Sequence, residues 1–216
     1  MGESVLGVAE AISFWDDRHQ VQGELTSGGD LSFDHVGNEI FYALRIGLLI
    51  ELVGDMSSLS APLRILDAGC GKGVFGRAMG RFGHRVDGID SSEHAIALCR
   101  AGAGARERYF VSTLASWTAP YVYDAVYCVD VLFHIMDDPT WEKSVRNLAS
   151  LVSTGGLLAL ADHGGEEDRV WSKYQKTRGA SRYDEVLESC GMRRTGFLPY
   201  RFRHSPAGFH TFVKDG

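Results

Sequence analysis

One stretch, Leu63-Arg64-Ile65-Leu66-Asp67-Ala68-Gly69-Cys70-Gly71-Lys72-Gly73, constrains the fold more than any other part of the chain. A short apolar strand pattern runs into a glycine-rich turn, and a helical pattern from Gly73 to Phe82 follows. Glycines let a loop turn sharply and let a ligand approach its backbone. The helix behind such a loop offers unpaired N–H groups and the positive end of its dipole. A buried strand of this kind needs neighbours, and the downstream sequence supplies them.

Arg85 to Ile89, Tyr109 to Ser112, Tyr123 to Val129 and Leu157 to Ala161 are short apolar or β-branched runs, each bounded by turn residues. Helical patterns separate them, from Glu93 to Ala101 and from Asp138-Pro139, read as cap and first helical residue, to Thr154-Gly155-Gly156. Tyr183 to Cys190 reads as a last helix, with Arg193 to Arg201 and Phe209 to Lys214 as closing strands. Strands alternating with helices predict a doubly wound α/β fold, a mostly parallel sheet covered on both faces.

The N-terminal quarter reads differently. Residues 1–22 carry Val5, Val8, Ile12 and Trp15 at helical spacing, and Gly23 to Gly37 reads as a loop. A second helix is expected over residues 38–53, capped by Asn38. The expected organisation is a helical lid over residues 1–60 and one α/β domain over 61–216. At 216 residues, with 44% apolar and 23% charged, the chain is an ordinary globular one.

Several classes drop out. The longest aliphatic stretch, Ile46 to Ile50, is far short of the roughly 20 residues of a membrane-spanning helix. The N-terminus has no cation before Arg18, so no secretory signal is read there, and a cytoplasmic location is expected. Cys70, Cys99, Cys128 and Cys190 form no C-x-x-C pair, which leaves zinc knuckles and redox motifs unsupported. The net charge is −6, but residues 169–216 hold 10 cations and 4 anions. That basic quarter suits either an anionic substrate or an ordinary solvated surface.

The glycine loop by itself is ambiguous, because Gly71, Gly73 and Gly76 also fit the dinucleotide spacing G-x-G-x-x-G. Two features argue against a pyrophosphate. Asp67 places a negative charge in the turn, which suits an ammonium-bearing sulfonium ligand better. Four residues, Asp67 to Cys70, separate the strand from the first glycine of that pattern, whereas a dinucleotide turn follows its strand at once. Asp90 ends the next strand, 21 residues beyond Gly69, where a carboxylate can accept hydrogen bonds from both ribose hydroxyls.

Asp67 to Gly73 resembles the S-adenosylmethionine (SAM) loop of class I methyltransferases, and Asp90 matches their ribose-binding acid. Tyr123 to Ile135, through Cys128, is similar to their fourth strand and the loop after it, and Thr154-Gly155-Gly156-Leu157-Leu158 resembles their turn into strand five. The resemblance covers roughly residues 61–215. It implies a Rossmann-like, seven-stranded sheet whose last strand is antiparallel. It also implies SAM as cofactor, S-adenosylhomocysteine (SAH) as product, and cofactor contacts from Asp67, Gly69, Cys70, Gly71, Asp90, Ser91 and Cys128. Many members carry an adenine-binding Asp after strand three; here Ser112-Thr113-Leu114 stands there, which passes that role to Thr113 and the Leu114 backbone.

Phe14-Trp15-Asp16-Asp17-Arg18-His19 resembles the aromatic segment that some small-molecule methyltransferases fold over the cofactor, with Trp15 near the sulfonium. Arg45 on the second helix is the candidate for the SAM carboxylate. His134 and His163 follow strands four and five at the carboxyl edge of the sheet, where such folds place their ligands, so they are the candidate general bases. Packing or loop roles are open to all four of these residues. No metal is expected, although Asp130 and Asp162 put carboxylates at two strand ends.

The expected function is methylation of an oxygen or nitrogen on a small-molecule metabolite, without a metal, with a sugar or natural product as acceptor. RNA or protein methylation, a non-catalytic SAM-binding partner subunit and an NAD-dependent reductase are the alternatives. The fourth-strand loop, Cys128-Val129-Asp130-Val131, lacks the N/D-P-P-Y/F signature of amino-directed nucleic-acid methylation, so nucleic acid is not the expected partner.

Overall fold

The computed structural model describes residues 6–30, 32–54, 62–203 and 205–216. Seven strands form one sheet in the order β3-β2-β1-β4-β5-β9-β8. They are β1 (Arg64–Ala68), β2 (Arg85–Asp90), β3 (Glu107–Val111), β4 (Tyr123–Cys128), β5 (Val152–His163), β8 (Met192–Pro199) and β9 (Ala207–Lys214). The first five pair in parallel, and β9 runs antiparallel between β5 and β8. A separate hairpin, β6 (Arg169–Ser172) with β7 (Gln175–Thr177), is inserted after β5.

Alternation along each strand divides the core into two layers. Leu66, Ala68, Val126 and Cys128 face α6 (Asp138–Ser150) and α7 (Ala180–Glu188), packing on Trp141, Leu148, Tyr183 and Leu187. Ile65, Val86, Ala125 and Tyr127 face α3 (His35–Gly54) and α4 (Val74–Arg81), packing on Phe41, Leu49, Phe75 and Met79. Both faces being covered explains why the central strands read as near-continuous apolar runs.

Three local expectations change. The cap of α3 is Asp34, whose Oδ1 accepts from the Gly37 N–H at 2.7 Å. Asn38 lies inside that helix, where its Oδ1 accepts from the Asp30 N–H at 2.9 Å and bolts down the preceding loop. Asp137, not Asp138, caps α6 by accepting from the Thr140 N–H at 2.8 Å, so Pro139 sits one position later than expected. Within the expected loop of residues 23–37 a single helical turn forms, α2 (Glu24–Ser27). The first helix, α1, spans Val8–Val21. Val5 and the boundary expected between residues 60 and 61 lie outside the described residues. Among the described residues no helix is long and apolar enough to cross a membrane.

Candidate active site

The loop after β1 is built for close approach. Gly69 and Gly71 have φ of 79° and 50°, the left-handed region that favours glycine. A Cβ on Gly69 would stand 2.5 Å from a methyl of Val131, so the loop after β4 can close over it only because that atom is missing. The Gly69 and Cys70 N–H groups both donate to the Ile89 carbonyl, at 2.8 and 2.9 Å, which locks the loop against β2. Asp90 completes the lock: its Oδ2 accepts from the Gly71 N–H at 2.8 Å and its Oδ1 from the Ser92 N–H at 2.9 Å. Ser92, not Asp90, caps α5 (Glu93–Ala101).

These groups open onto a cavity of about 410 Å³ at the carboxyl ends of the strands. Gly69, Cys70, Gly71, Asp90 and Ser91 line it from β1 and β2, and Thr113 and Leu114 line it from the segment after β3. The N-terminal helices roof it. Asp16 on α1 accepts from the Ser92 hydroxyl at 2.5 Å and from the His94 N–H at 3.2 Å, so the lid is fastened to the start of α5. Arg18 donates to the Ser27, Thr26 and Gly29 carbonyls at 2.6, 3.0 and 3.4 Å, holding α2 against α1. Trp15 and His19 face the cavity from the same helix.

The far end of the cavity gathers groups from distant parts of the chain. Arg45 is 1% exposed and forms an ion pair with Asp130. Its guanidinium carbon stands 3.9 and 4.4 Å from the ring centres of Phe41 and Tyr42. Its Nη2 makes no hydrogen bond among the described residues. Asp130 has a φ of 55°, uncommon for a residue with a Cβ, and its Oδ1 accepts from the Tyr200 hydroxyl at 3.0 Å. Strain of this kind persists only where surrounding contacts impose it, here an Arg and a Tyr on one carboxylate.

His134 ends a short 3₁₀ turn after β4 (Leu132–His134) and packs against Trp15 with ring centres 4.3 Å apart. Its Nδ1 lies 2.8 Å from the Tyr174 carbonyl, an acceptor only, so Nδ1 carries the proton and Nε2 is the free acceptor. Burial pushes its pKa down to about 4. His163 ends β5 and packs edge-on against Trp171, ring centres 5.2 Å apart; burial lowers its pKa and the Asp130 charge opposes that. The hairpin carrying Tyr174 and Trp171 is pinned from beneath by Arg178. That buried side chain donates to Asp138 at 2.9 Å and to the Lys176 carbonyl at 2.9 Å.

Eleven of the thirteen sequence-derived candidates therefore line one cavity, and Asp67 and Cys128 do not. Asp67 lies beneath the loop, 1% exposed. Burial pushes its carboxyl up to about 7, against the pull of the Gly76 N–H and the Tyr127 hydroxyl beside it. Cys128 is fully buried in the sheet. Asp130, Tyr200 and the Tyr174 carbonyl carried no assigned site role in the sequence reading; only Asp130, at a strand end, had a signal. Asp162 is not free for a cation: its Oδ2 accepts from the Tyr183 hydroxyl at 2.6 Å. Among the described residues no group of three or more His, Cys, Asp or Glu is placed to hold a metal. In the basic C-terminal quarter, Lys176, Arg178 and Arg182 pair with Asp138, Arg193 with Asp215, and Arg194 with Asp184.

Residues 65–156 match the family model of a methyltransferase domain. Over that segment, which holds the Gly69–Gly71 loop and Asp90, the chain is similar to methyltransferase domains. It is 31% identical over 118 residues to the ubiquinone biosynthesis O-methyltransferase of Cronobacter sakazakii, a match covering 52% of this chain and 46% of that one. The chain thus spans about half the length of the curated relatives it matches. Among solved structures it resembles the SAM-bound magnesium protoporphyrin IX methyltransferase of Synechocystis PCC 6803. There the TM-score is 0.73 and the identity 19%, covering 99% of this chain and 100% of that one. The 1,6-didemethyltoxoflavin N1-methyltransferase of Burkholderia thailandensis, solved with SAH, has a TM-score of 0.68 at 15% identity, covering 100% and 94%. At these identities the structural likeness speaks to the fold.

Proposed function

We propose that this chain transfers the methyl group of SAM to an oxygen, or a nitrogen, of a small-molecule metabolite such as a sugar or natural product. The observation that carries the reading is the single roofed cavity in which the Asp90 clamp and the His134 ring face the same space. The residues fit the cofactor. Asp90 keeps lone pairs for a ribose diol after accepting two backbone N–H groups. Gly69 has no room for a Cβ and Gly71 holds a φ that favours glycine, so the loop backbone stays open to a ligand. Arg45 has an unpartnered Nη2 for a carboxylate. Thr113 and Leu114 are the adenine-side candidates.

When bound, SAM supplies a methyl group already made electrophilic by its sulfonium. The chain's task is then to align the acceptor, exclude water and, for a hydroxyl, receive its proton. The α1 roof excludes water. His134, its tautomer set by the Tyr174 carbonyl, offers Nε2 as the proton acceptor, and His163 is the second candidate. Names of relatives that act in ubiquinone biosynthesis and on protoporphyrin support a small-molecule acceptor, as does the ion pairing that already occupies Lys176, Arg178, Arg182, Arg193 and Arg194. The reading is tested by incubating the protein with labelled SAM and fractionated metabolite extracts. Label should pass to a small molecule, should do so in the presence of a chelator, and should fall about 10²–10⁴-fold in His134→Ala. Label passing only to RNA or protein would overturn it.

A further inference from the structure

His19 is the one cavity-lining imidazole left unassigned. It sits near the end of α1, only 5% exposed, and lines the cavity beneath the lid. Its Nδ1 is sealed from solvent and has no hydrogen-bond partner among the described residues. A neutral imidazole carries one donor and one acceptor, and leaving either unmade in a buried position is costly. The lid is not held by this ring; Asp16 and Arg18 do that through α5 and α2.

The position of the ring is informative. Its Cε1 and Nε2 lie 3.4 and 3.9 Å from where a Cβ on Gly71 would stand. The Gly71 N–H donates to Asp90 at 2.8 Å. His19 and Asp90 therefore bracket the same glycine, one from the lid and one from the sheet. The charged neighbours of the ring are Asp90 and Asp16 on the acidic side and Lys72 and Arg18 on the basic side; burial outweighs them and keeps the imidazole neutral.

We propose that His19 is a second ligand for the ribose diol that Asp90 holds, so that a bound nucleoside ties the lid to the sheet. The carboxylate can only accept, whereas a neutral imidazole can accept from a hydroxyl or donate to one. The pair then recognises a vicinal diol from two sides and completes a site whose protein half is left unsatisfied. The inference rests on the SAM reading.

Calorimetric titration of SAH into the wild type tests that reading first, because absence of binding there sinks it whatever His19 does. With binding established, His19→Ala should weaken SAH about tenfold, the scale of one lost hydrogen bond at a buried site. His19→Gln, which sets an amide near the place of Nε2, should restore most of the loss. The decisive arm repeats the titrations with the 2′-deoxy and 3′-deoxy analogues of SAH. For the analogue that lacks the contacted hydroxyl, wild type and His19→Ala should bind equally. If the Ala penalty is the same for SAH and both analogues, or if Gln loses as much as Ala, the ring only packs the lid and the proposal is wrong.

Discussion

Asp90 gives one oxygen to the Gly71 N–H and the other to the Ser92 N–H, and still faces the cavity. Its geometry is thus fixed before any ligand arrives, which is the condition for strong discrimination by a hydrogen-bonding group. His134 is prepared in a different way. With its Nδ1 proton committed to Tyr174 and its pKa near 4, it is neutral throughout the physiological range. Turnover that depends on neutral His134 should stay flat from about pH 6 to 8 and fall only as pH drops towards about 4. A pH-rate profile with an ascending limb near 6.5 would assign the base elsewhere. Asp67 makes the opposite case, a carboxyl held near 7 by burial first and by the Asp90 charge as well. Asp67→Asn should leave SAH affinity within about threefold of wild type, because the residue does not line the cavity; a large loss in calorimetry would contradict that placement.

At the scale of elements, α1 is fastened to the start of α5 by a few local contacts. Asp16→Ala removes the acceptor for the Ser92 hydroxyl and the His94 N–H. Losing contacts of that kind costs about 1 kcal/mol. The expected result is faster tryptic cleavage at Arg18 and weaker SAH binding, with little change in the melting temperature of the domain. Unchanged protection at Arg18 would mean that α1 is held mainly by its apolar face. The hairpin makes a parallel case. Arg178→Met cuts its tie to Asp138 and should lower turnover by up to ~10² through misplacement of His134, while SAH affinity is kept. Which elements were legible follows the same physics. β1 and β4 were, because two-sided burial favours nearly unbroken apolar runs. The hairpin was not: strands of 4 and 3 residues are too short to show an alternation. In the site, Asp90 and the Gly69–Gly71 loop had a local signal, ambiguous by glycine spacing and resolved by Asp67 in the turn and by the family resemblance. The Arg45–Asp130 pair spans 85 positions, and the exposure of His19 to the cavity depends on how α1 docks, so neither had a local signal.

For the whole molecule, buried titratable groups pull stability in two directions. His134 and His210 are both pushed down to about 4 by burial from an ordinary 6.5. Between those values the unfolded chain binds more protons, so their contribution is present above pH 6.5 and is lost as pH falls towards 4. Asp67 and Asp162 are pushed up from 3.8 to about 7 and about 6, so their contribution is present below 3.8 and lost as pH rises through that window. Asp67→Asn should therefore raise the melting temperature more at pH 8 than at pH 5; the reverse order would place the strain elsewhere. The joined cavity under one roof is what the proposed methyl transfer needs beyond a sheet with a glycine loop. The most direct test of that claim is calorimetric titration of SAM and NADH into the wild type and Asp90→Ala. The account predicts micromolar SAM binding at one site, weakened by roughly 1.5–3 kcal/mol in Asp90→Ala, and no tight NADH binding. Tight NADH binding, or SAM affinity untouched by the loss of Asp90, would contradict it.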